Sequence, residues 1–399
     1  MSQTPIISTT FLKGIHFTFL DNVNGIRHRV ASTRPNLTIS GPLARQQGHE
    51  LVLFLHGFPE SWYSWRYQLL LLRDRPYLPV APDMRGFGAT SQPRRTEDYT
   101  QTVIAKDVVE IAKALGYNEF IVVGHDWGCQ AAWSVSLLYP QHVLGVLGMS
   151  APYTGTPRID MLSFLQSKYG PCLDESIPAK ERERKCLFHY MLHHCLAKST
   201  EEYDKNGREF LYRIYTNRKG CETVQGTPEY DIHGNMFDTT GRKTLDEIDV
   251  LDATVAPGMW KRLPRAKTLP NWLKEEDPEY LTKEYEQAGF HGGLSWYRAM
   301  KLNFEAVNAA LRRSDGSLDD KISPPSLFII GEDDSLVDLY GGRDKIIHRL
   351  NGNMTSMTRK PIFIKDVGHW IQVEAKDAVN EALLQFLEDV AMTHRMCHL

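Results

Sequence analysis

The chain has 399 residues, of which 42% are hydrophobic and 24% charged, with a formal net charge of −3. That is an ordinary globular composition, long enough for one large domain carrying an inserted subdomain. The near-neutral balance leaves no electrostatic pull toward nucleic acid or anionic membrane, no apolar run reaches the roughly 18 residues of a membrane helix, and the six cysteines (129, 172, 186, 195, 221, 397) show no C-x-x-C pair, which suits a reduced intracellular protein better than a disulfide framework.

Met1 to Thr10 is polar, so no signal peptide is expected. Asn36-Leu37-Thr38 and Asn353-Met354-Thr355 match the glycosylation acceptor pattern and are read as chance in a protein that is not secreted. Residues 15–19 and 26–30 alternate around Asn24-Gly25, which predicts a hairpin. Residues 50–55 are nearly all apolar, as in a strand buried on both faces, and 77–83 form a weaker strand. Residues 103–115 have helical spacing (Ile104, Val108, Ile111, Leu115) and stop at Gly116. A strand at 120–123, a helix through Leu138 and a strand at 143–149 follow. This alternation implies a parallel sheet with right-handed crossovers. From about Tyr153 to Leu302 no strongly apolar strand occurs, which predicts a mostly helical insertion; the mixed charges at Lys180 to Lys185 read as a solvated helix face. The sheet resumes at 326–330, followed by a helix through Leu350, a last strand at 361–364 and a closing helix from Ala375 to Met392.

The chemistry sits at strand ends. Gly124-His125-Asp126-Trp127-Gly128 follows Phe120-Ile121-Val122-Val123, the form of a nucleophile elbow with aspartate where serine is usual. A carboxylate is a poor acyl nucleophile but displaces leaving groups from sp³ carbon, so strained ethers or alkyl halides are the expected substrates. The plain alternative is an aspartate that merely caps a helix. Three further motifs weigh against it. His56-Gly57-Phe58-Pro59 ends the first apolar strand, where the N–H groups of Phe58 and Trp127 are a candidate oxyanion-binding pair. Gly331-Glu332-Asp333-Asp334 and Val367-Gly368-His369-Trp370 follow the last two strands, giving the chain order nucleophile, acid, histidine: Asp126, Asp334, His369.

On these motifs, together with Arg85-Gly86-Phe87-Gly88-Ala89-Thr90, the chain resembles a soluble epoxide hydrolase of the α/β-hydrolase superfamily, similar to the short forms of fungi and plants, from about residue 12 onward. The resemblance implies an α/β-hydrolase core (1–152 and 303–399) with a helical cap (153–302) inserted after the sixth strand. It implies cap tyrosines that hold the epoxide oxygen. Tyr297, in Leu294-Ser295-Trp296-Tyr297-Arg298, matches one of them; Tyr190 stands at the place of the other, with Tyr153 and Tyr169 next in line. His56, Phe58, Pro59, Trp127 and Trp370 are the expected pocket residues. A small-molecule epoxide and water are the expected partners, with no cofactor, metal, nucleic acid or membrane anchor; oligomeric state stays open. Cys129 stands where a second glycine is usual, residues 220–264 have no counterpart, and the phosphatase domain fused to vertebrate relatives is not expected. The rival reading is a haloalkane dehalogenase with the same three residues, although Phe58 replaces its usual Asn donor. Trp127 stands where a fluoroacetate dehalogenase needs Arg. A non-catalytic receptor would have no reason to keep Asp126, Asp334 and His369 together. The expected location is cytoplasmic, with Cys397-His398-Leu399 as a weak variant of a peroxisomal address.

Overall fold

The computed structural model describes residues 13–35, 37, 49–156, 159–178, 181, 188–228 and 258–397. Met1 to Thr10, Asn36, Thr38, Cys186, most of 180–185, the middle of the 220–264 segment and His398-Leu399 lie outside the described residues.

Strands β1 (His16–Val23) and β2 (Ile26–Ser32) join through Asn24-Gly25, whose φ values of 47° and 80° are the pair a two-residue type I′ turn requires. Then come β3 (Glu50–Leu55), α1 (Arg66–Leu71), β4 (Tyr77–Pro82), α2 (Gln101–Ala114), β5 (Phe120–His125), α3 (Trp127–Leu138) and β6 (Val143–Met149). A helical stretch follows: α4 (Met161–Tyr169), α5 (Tyr190–Cys195), α6 (Ala197–Thr216), α7 (Met259–Arg262), α8 (Glu276–Ala288), α9 (His291–Arg298) and α10 (Met300–Leu311). The sheet resumes with β7 (Ser326–Gly331), α11 (Ser335–Leu339), α12 (Arg343–Asn353), β8 (Ile362–Ile364), α13 (Ile371–Glu374) and α14 (Lys376–Cys397).

The strands pair in the order β1-β2-β4-β3-β5-β6-β7-β8, antiparallel at β1-β2 and β2-β4 and parallel elsewhere. This is the expected mostly parallel sheet with a helical cap after the sixth strand. The apolar runs have a simple cause. Leu51, Leu53 and Leu55 of β3 face one hydrophobic cluster while Val52 and Phe54 face another across the sheet, and β5 divides its residues the same way. A strand covered on both faces has no polar side to show. One expected element is corrected. The helix through Leu350 is two helices, because Gly341 and Gly342, at φ 87° and 95°, end α11 and restart the chain as α12.

The cap is fastened to the core by buried charges. Arg66 meets Asp277 of α8 at 2.9 Å, and Tyr63 donates to the same carboxylate at 2.8 Å. Arg29 bridges Asp83 of the core and Glu284 of α8. Trp296 of α9 donates its ring N–H to the Arg85 carbonyl at 3.0 Å. These contacts hold α8 and α9 against the segments that follow β3 and β4. Among the described residues no helix is long and apolar enough to cross a membrane.

Candidate active site

β5 ends in a sharp bend. Asp126 sits at φ 52°, ψ −120°, and α3 begins at the next residue. An L-residue held in such a sparsely populated region costs about 1–3 kcal/mol and persists only where its surroundings impose it. Close packing does so here. A Cβ on Gly128 would lie 2.1 Å from the Leu55 carbonyl oxygen, so only glycine lets α3 seat against β3. Across the bend, a Cβ on Gly57 would lie 2.3 Å from Asp126 Oδ1. Asp126 makes no side-chain capping bond along α3. Its carboxylate instead accepts the N–H groups of Phe58, at 2.9 Å to Oδ1, and of Trp127.

Asp126 Oδ2 lies 3.8 Å from His369 Nε2, and His369 Nδ1 donates to Asp334 Oδ2 at 2.9 Å. Asp334 caps α11 through the Leu336 N–H at 3.0 Å and is almost wholly buried. The structure thus brings together Asp126, His369 and Asp334 from three strand ends. Burial pushes the Asp126 carboxyl above its ordinary range, opposed by His369, His125 and the two N–H donors. For Asp334 burial acts in the same direction, but the His369 charge and hydrogen bond and the Leu336 N–H outweigh it and hold the acid below its ordinary value. His369 is disfavoured as a cation by burial, yet Asp334, Asp126 and Glu60 together raise it to about 9.

Tyr190 and Tyr297 descend from the cap into the same space, their rings 6.3 Å apart and near perpendicular. Burial, and then the Asp126 charge, raise both phenols well above their ordinary value, so they are proton donors at neutral pH. The Trp127 side chain hydrogen-bonds Tyr297, and the two rings are 5.0 Å apart. Tyr153 spends its hydroxyl on the Asp320 carbonyl at 2.6 Å, and Tyr169 packs on the His189 ring at 4.7 Å.

Asp126, Tyr190 and Tyr297 sit where two cavities meet. One, of about 90 Å³, is also lined by Phe58, Pro59, His369 and Trp370. The other, of about 240 Å³, is lined by Trp127, Met191 and Met300 among others. Of the expected pocket residues, Phe58, Pro59, Trp127 and Trp370 line these spaces. His56 does not, which corrects the expectation. It is fully buried, with Nδ1 on the Gly57 carbonyl at 2.9 Å and Nε2 accepting the Met84 N–H at 3.0 Å, so it braces the loop from beneath.

Two residues were missed, Glu60 just after one motif and His125 within another. Glu60, directly after Pro59, accepts from the Gly57 N–H at 2.7 Å, from Gln372 at 2.6 Å and from His125 Nδ1 at 2.8 Å. Burial would raise this carboxyl, but His125 outweighs it and brings it to about 2. His125 Nε2 faces the His369 carbonyl at 2.8 Å, so the ring ties the loop of His369 to that of Phe58. Their adjacency to Pro59 and Asp126 was the available signal. Cys129 donates to the Ala151 carbonyl at 3.1 Å, and burial raises its thiol well above the usual range. It fills the space behind the bend. Among the described residues no group of three or more His, Cys, Asp or Glu side chains is placed to hold a metal ion.

A family model described as alpha/beta hydrolase fold matches residues 50–169. The chain is 33% identical to Epoxide hydrolase B of Mycobacterium tuberculosis, covering 92% of this chain and 96% of that one. Among solved structures it is similar to Epoxide Hydrolase A from Mycobacterium thermoresistibile (26% identity, 94% and 98% covered, TM-score 0.72) and to an epoxide hydrolase from an endophytic Streptomyces (27% identity, 95% and 97% covered, TM-score 0.74).

Proposed function

The chain belongs to the epoxide hydrolase family, and from that premise we propose that it converts epoxides to vicinal diols through an ester on Asp126. The observation that carries the reading is the division of labour around one carboxylate. Oδ1 is met by an N–H donor, Oδ2 faces a histidine, and two neutral tyrosines stand opposite. Asp126 Oδ2 attacks an epoxide carbon, the carbon–oxygen bond breaks, and Tyr190 or Tyr297 gives its proton to the departing oxygen. General acid help of this kind is worth about 10²–10⁴-fold. His369 then takes a proton from water, whose oxygen attacks the ester carbonyl carbon. The N–H groups of Phe58 and Trp127 hold the resulting oxyanion, worth roughly 2.7–4 kcal/mol per donor. Collapse releases the alkoxide, which takes the His369 proton. The proton shed by the re-formed Asp126 carboxyl restores the tyrosine.

The electrostatics support this order. Asp126 is one of the charges that keep His369 a cation. Esterification removes that charge, so the imidazolium releases its proton to solvent and the neutral ring is a base at the step that needs one. The paired hydroxyls suit an alkoxide, which must gain a proton, better than a halide, which need not. Asp126→Ala should abolish styrene oxide turnover while leaving the melting temperature near wild type, and 1-bromobutane should not be consumed by either form. A single turnover in heavy-oxygen water should place label in the Asp126 carboxylate; label found only in the diol refutes the ester. We place the protein in the cytoplasm, a reading supported by Cys129, Cys172, Cys195 and Cys221 being free thiols. The terminal Cys397-His398-Leu399 makes peroxisomal import the alternative, to be tested by fusing the last ten residues to a fluorescent protein.

A further inference from the structure

The steps above leave one histidine of the cavity wall unused. His194 lies four residues after Tyr190 on α5, so both side chains leave the same helix face. It is 3% exposed and lines the smaller cavity with Asp126, Tyr190 and Tyr297. Its ring packs edge-on against Tyr297 at 4.5 Å, Phe58 at 5.3 Å, Tyr190 at 5.6 Å and Tyr203 at 5.6 Å. Among the described residues neither ring nitrogen has a hydrogen-bond partner. Burial, reinforced by the nearby His193, Arg298 and His189, holds the ring well below the ordinary histidine range. It is therefore neutral, with one donor and one acceptor both unspent.

Apolar packing alone does not explain an imidazole here, since a phenyl ring would fill the same space without two orphaned polar atoms. We propose that His194 is a specificity residue, hydrogen-bonding an oxygen substituent carried beside the oxirane ring. Epoxy alcohols are then preferred over hydrocarbon epoxides. The contact with Tyr297 sets the reach, because a group meeting His194 is adjacent to the ring oxygen that Tyr297 holds. A hydroxyl matches a neutral imidazole in either tautomer, whereas a carboxylate would find only one donor in a desolvated wall. The terminal torsion of a histidine is broad, so the ring can turn a nitrogen toward its guest without moving the helix.

The inference rests on the epoxide hydrolase reading, and the test separates the two. kcat/KM is measured for wild type, His194→Phe and His194→Gln with trans-2,3-epoxyhexan-1-ol and trans-2,3-epoxyhexane, which differ only in the hydroxyl. Wild type should favour the alcohol. His194→Phe should lose about tenfold on the alcohol, the weight of one neutral hydrogen bond, with the hydrocarbon unchanged, and His194→Gln should recover part of the preference. An alcohol-to-hydrocarbon ratio that is unchanged in His194→Phe overturns the proposal. So does an equal loss on both substrates in both variants, which marks a packing role. Failure of wild type to open either compound would sink the underlying reading, and this proposal with it.

Discussion

The proposed alternation of His369 between acid and base has a magnitude that follows from one distance. Its Nε2 lies 3.8 Å from Asp126 Oδ2. At that separation two unit charges interact by about 1 kcal/mol with the screening of water and about 4 kcal/mol with the effective screening of a partly buried pair. Since 1.36 kcal/mol corresponds to one pH unit of titration, neutralising Asp126 should lower the His369 pKa by about 1 to 3. Asp126→Asn mimics the uncharged ester without the substrate. The folded wild-type ring titrates near 9, Asp126 being one contributor after Asp334, so in Asp126→Asn it should titrate between about 6 and 8. The assay is a proton–carbon NMR titration of histidine-labelled protein, with the His369 resonance assigned by its loss in His369→Gln. A ring that titrates at the same pH in Asp126→Asn and wild type refutes the coupling. In the same way, single-turnover hydrolysis of the ester in the wild-type enzyme should quicken as pH rises through the lowered value, because only the neutral imidazole accepts the proton of water.

His369→Gln should form the ester and fail to hydrolyse it, so intact mass after mixing with styrene oxide should rise by the mass of the substrate; loss of ring opening without an adduct contradicts the assigned role. Tyr190→Phe and Tyr297→Phe should each slow ester formation in stopped flow, within the 10²–10⁴-fold range of general acid help for the pair together, and a Tyr190→Phe enzyme with wild-type rates shows that Tyr190 is not one of the pair. Asp277→Ala removes the buried carboxylate that both Arg66 and Tyr63 meet, which should cost about 3–5 kcal/mol by urea denaturation, whereas Asp319→Ala breaks an exposed pair with Arg313 and should leave stability nearly unchanged. Equal costs would mean that the cap is not anchored by that charge.

The core was legible because its strands are buried on both faces and its turns use chemically specific residues. Asn24-Gly25 announces the hairpin, and Gly116, at φ 86°, ends α2 where the periodic pattern stops. Asp126, Asp334 and His369 were legible because each follows an apolar run, so their order along the chain carried their meeting in space. The break at Gly341-Gly342 was hidden by apolar residues continuing on both sides. His56 was misplaced because a strand-end position does not reveal which way a side chain turns, and its ring turns under the loop. Glu60 was passed over for a different reason. Its importance comes from His125 and Gln372, which are 65 and 312 residues away, and no local pattern encodes partners at that separation. The cap was legible only as helical, since its polar aromatic composition gives Tyr190 and His194 no periodic signal that separates pocket from packing.

What the backbone secures at residue 126 is a location rather than a side chain. The +52° φ, the close seat of Gly128 on Leu55 and the approach of Gly57 are properties of main chain and missing Cβ atoms. The carboxylate itself is disfavoured there by burial. Screens that rank variants by thermal stability will therefore be blind at this position. Exchanges expected to abolish the proposed chemistry, such as Asp126→Asn, should score as neutral or improved, because they relieve a charge that burial disfavours.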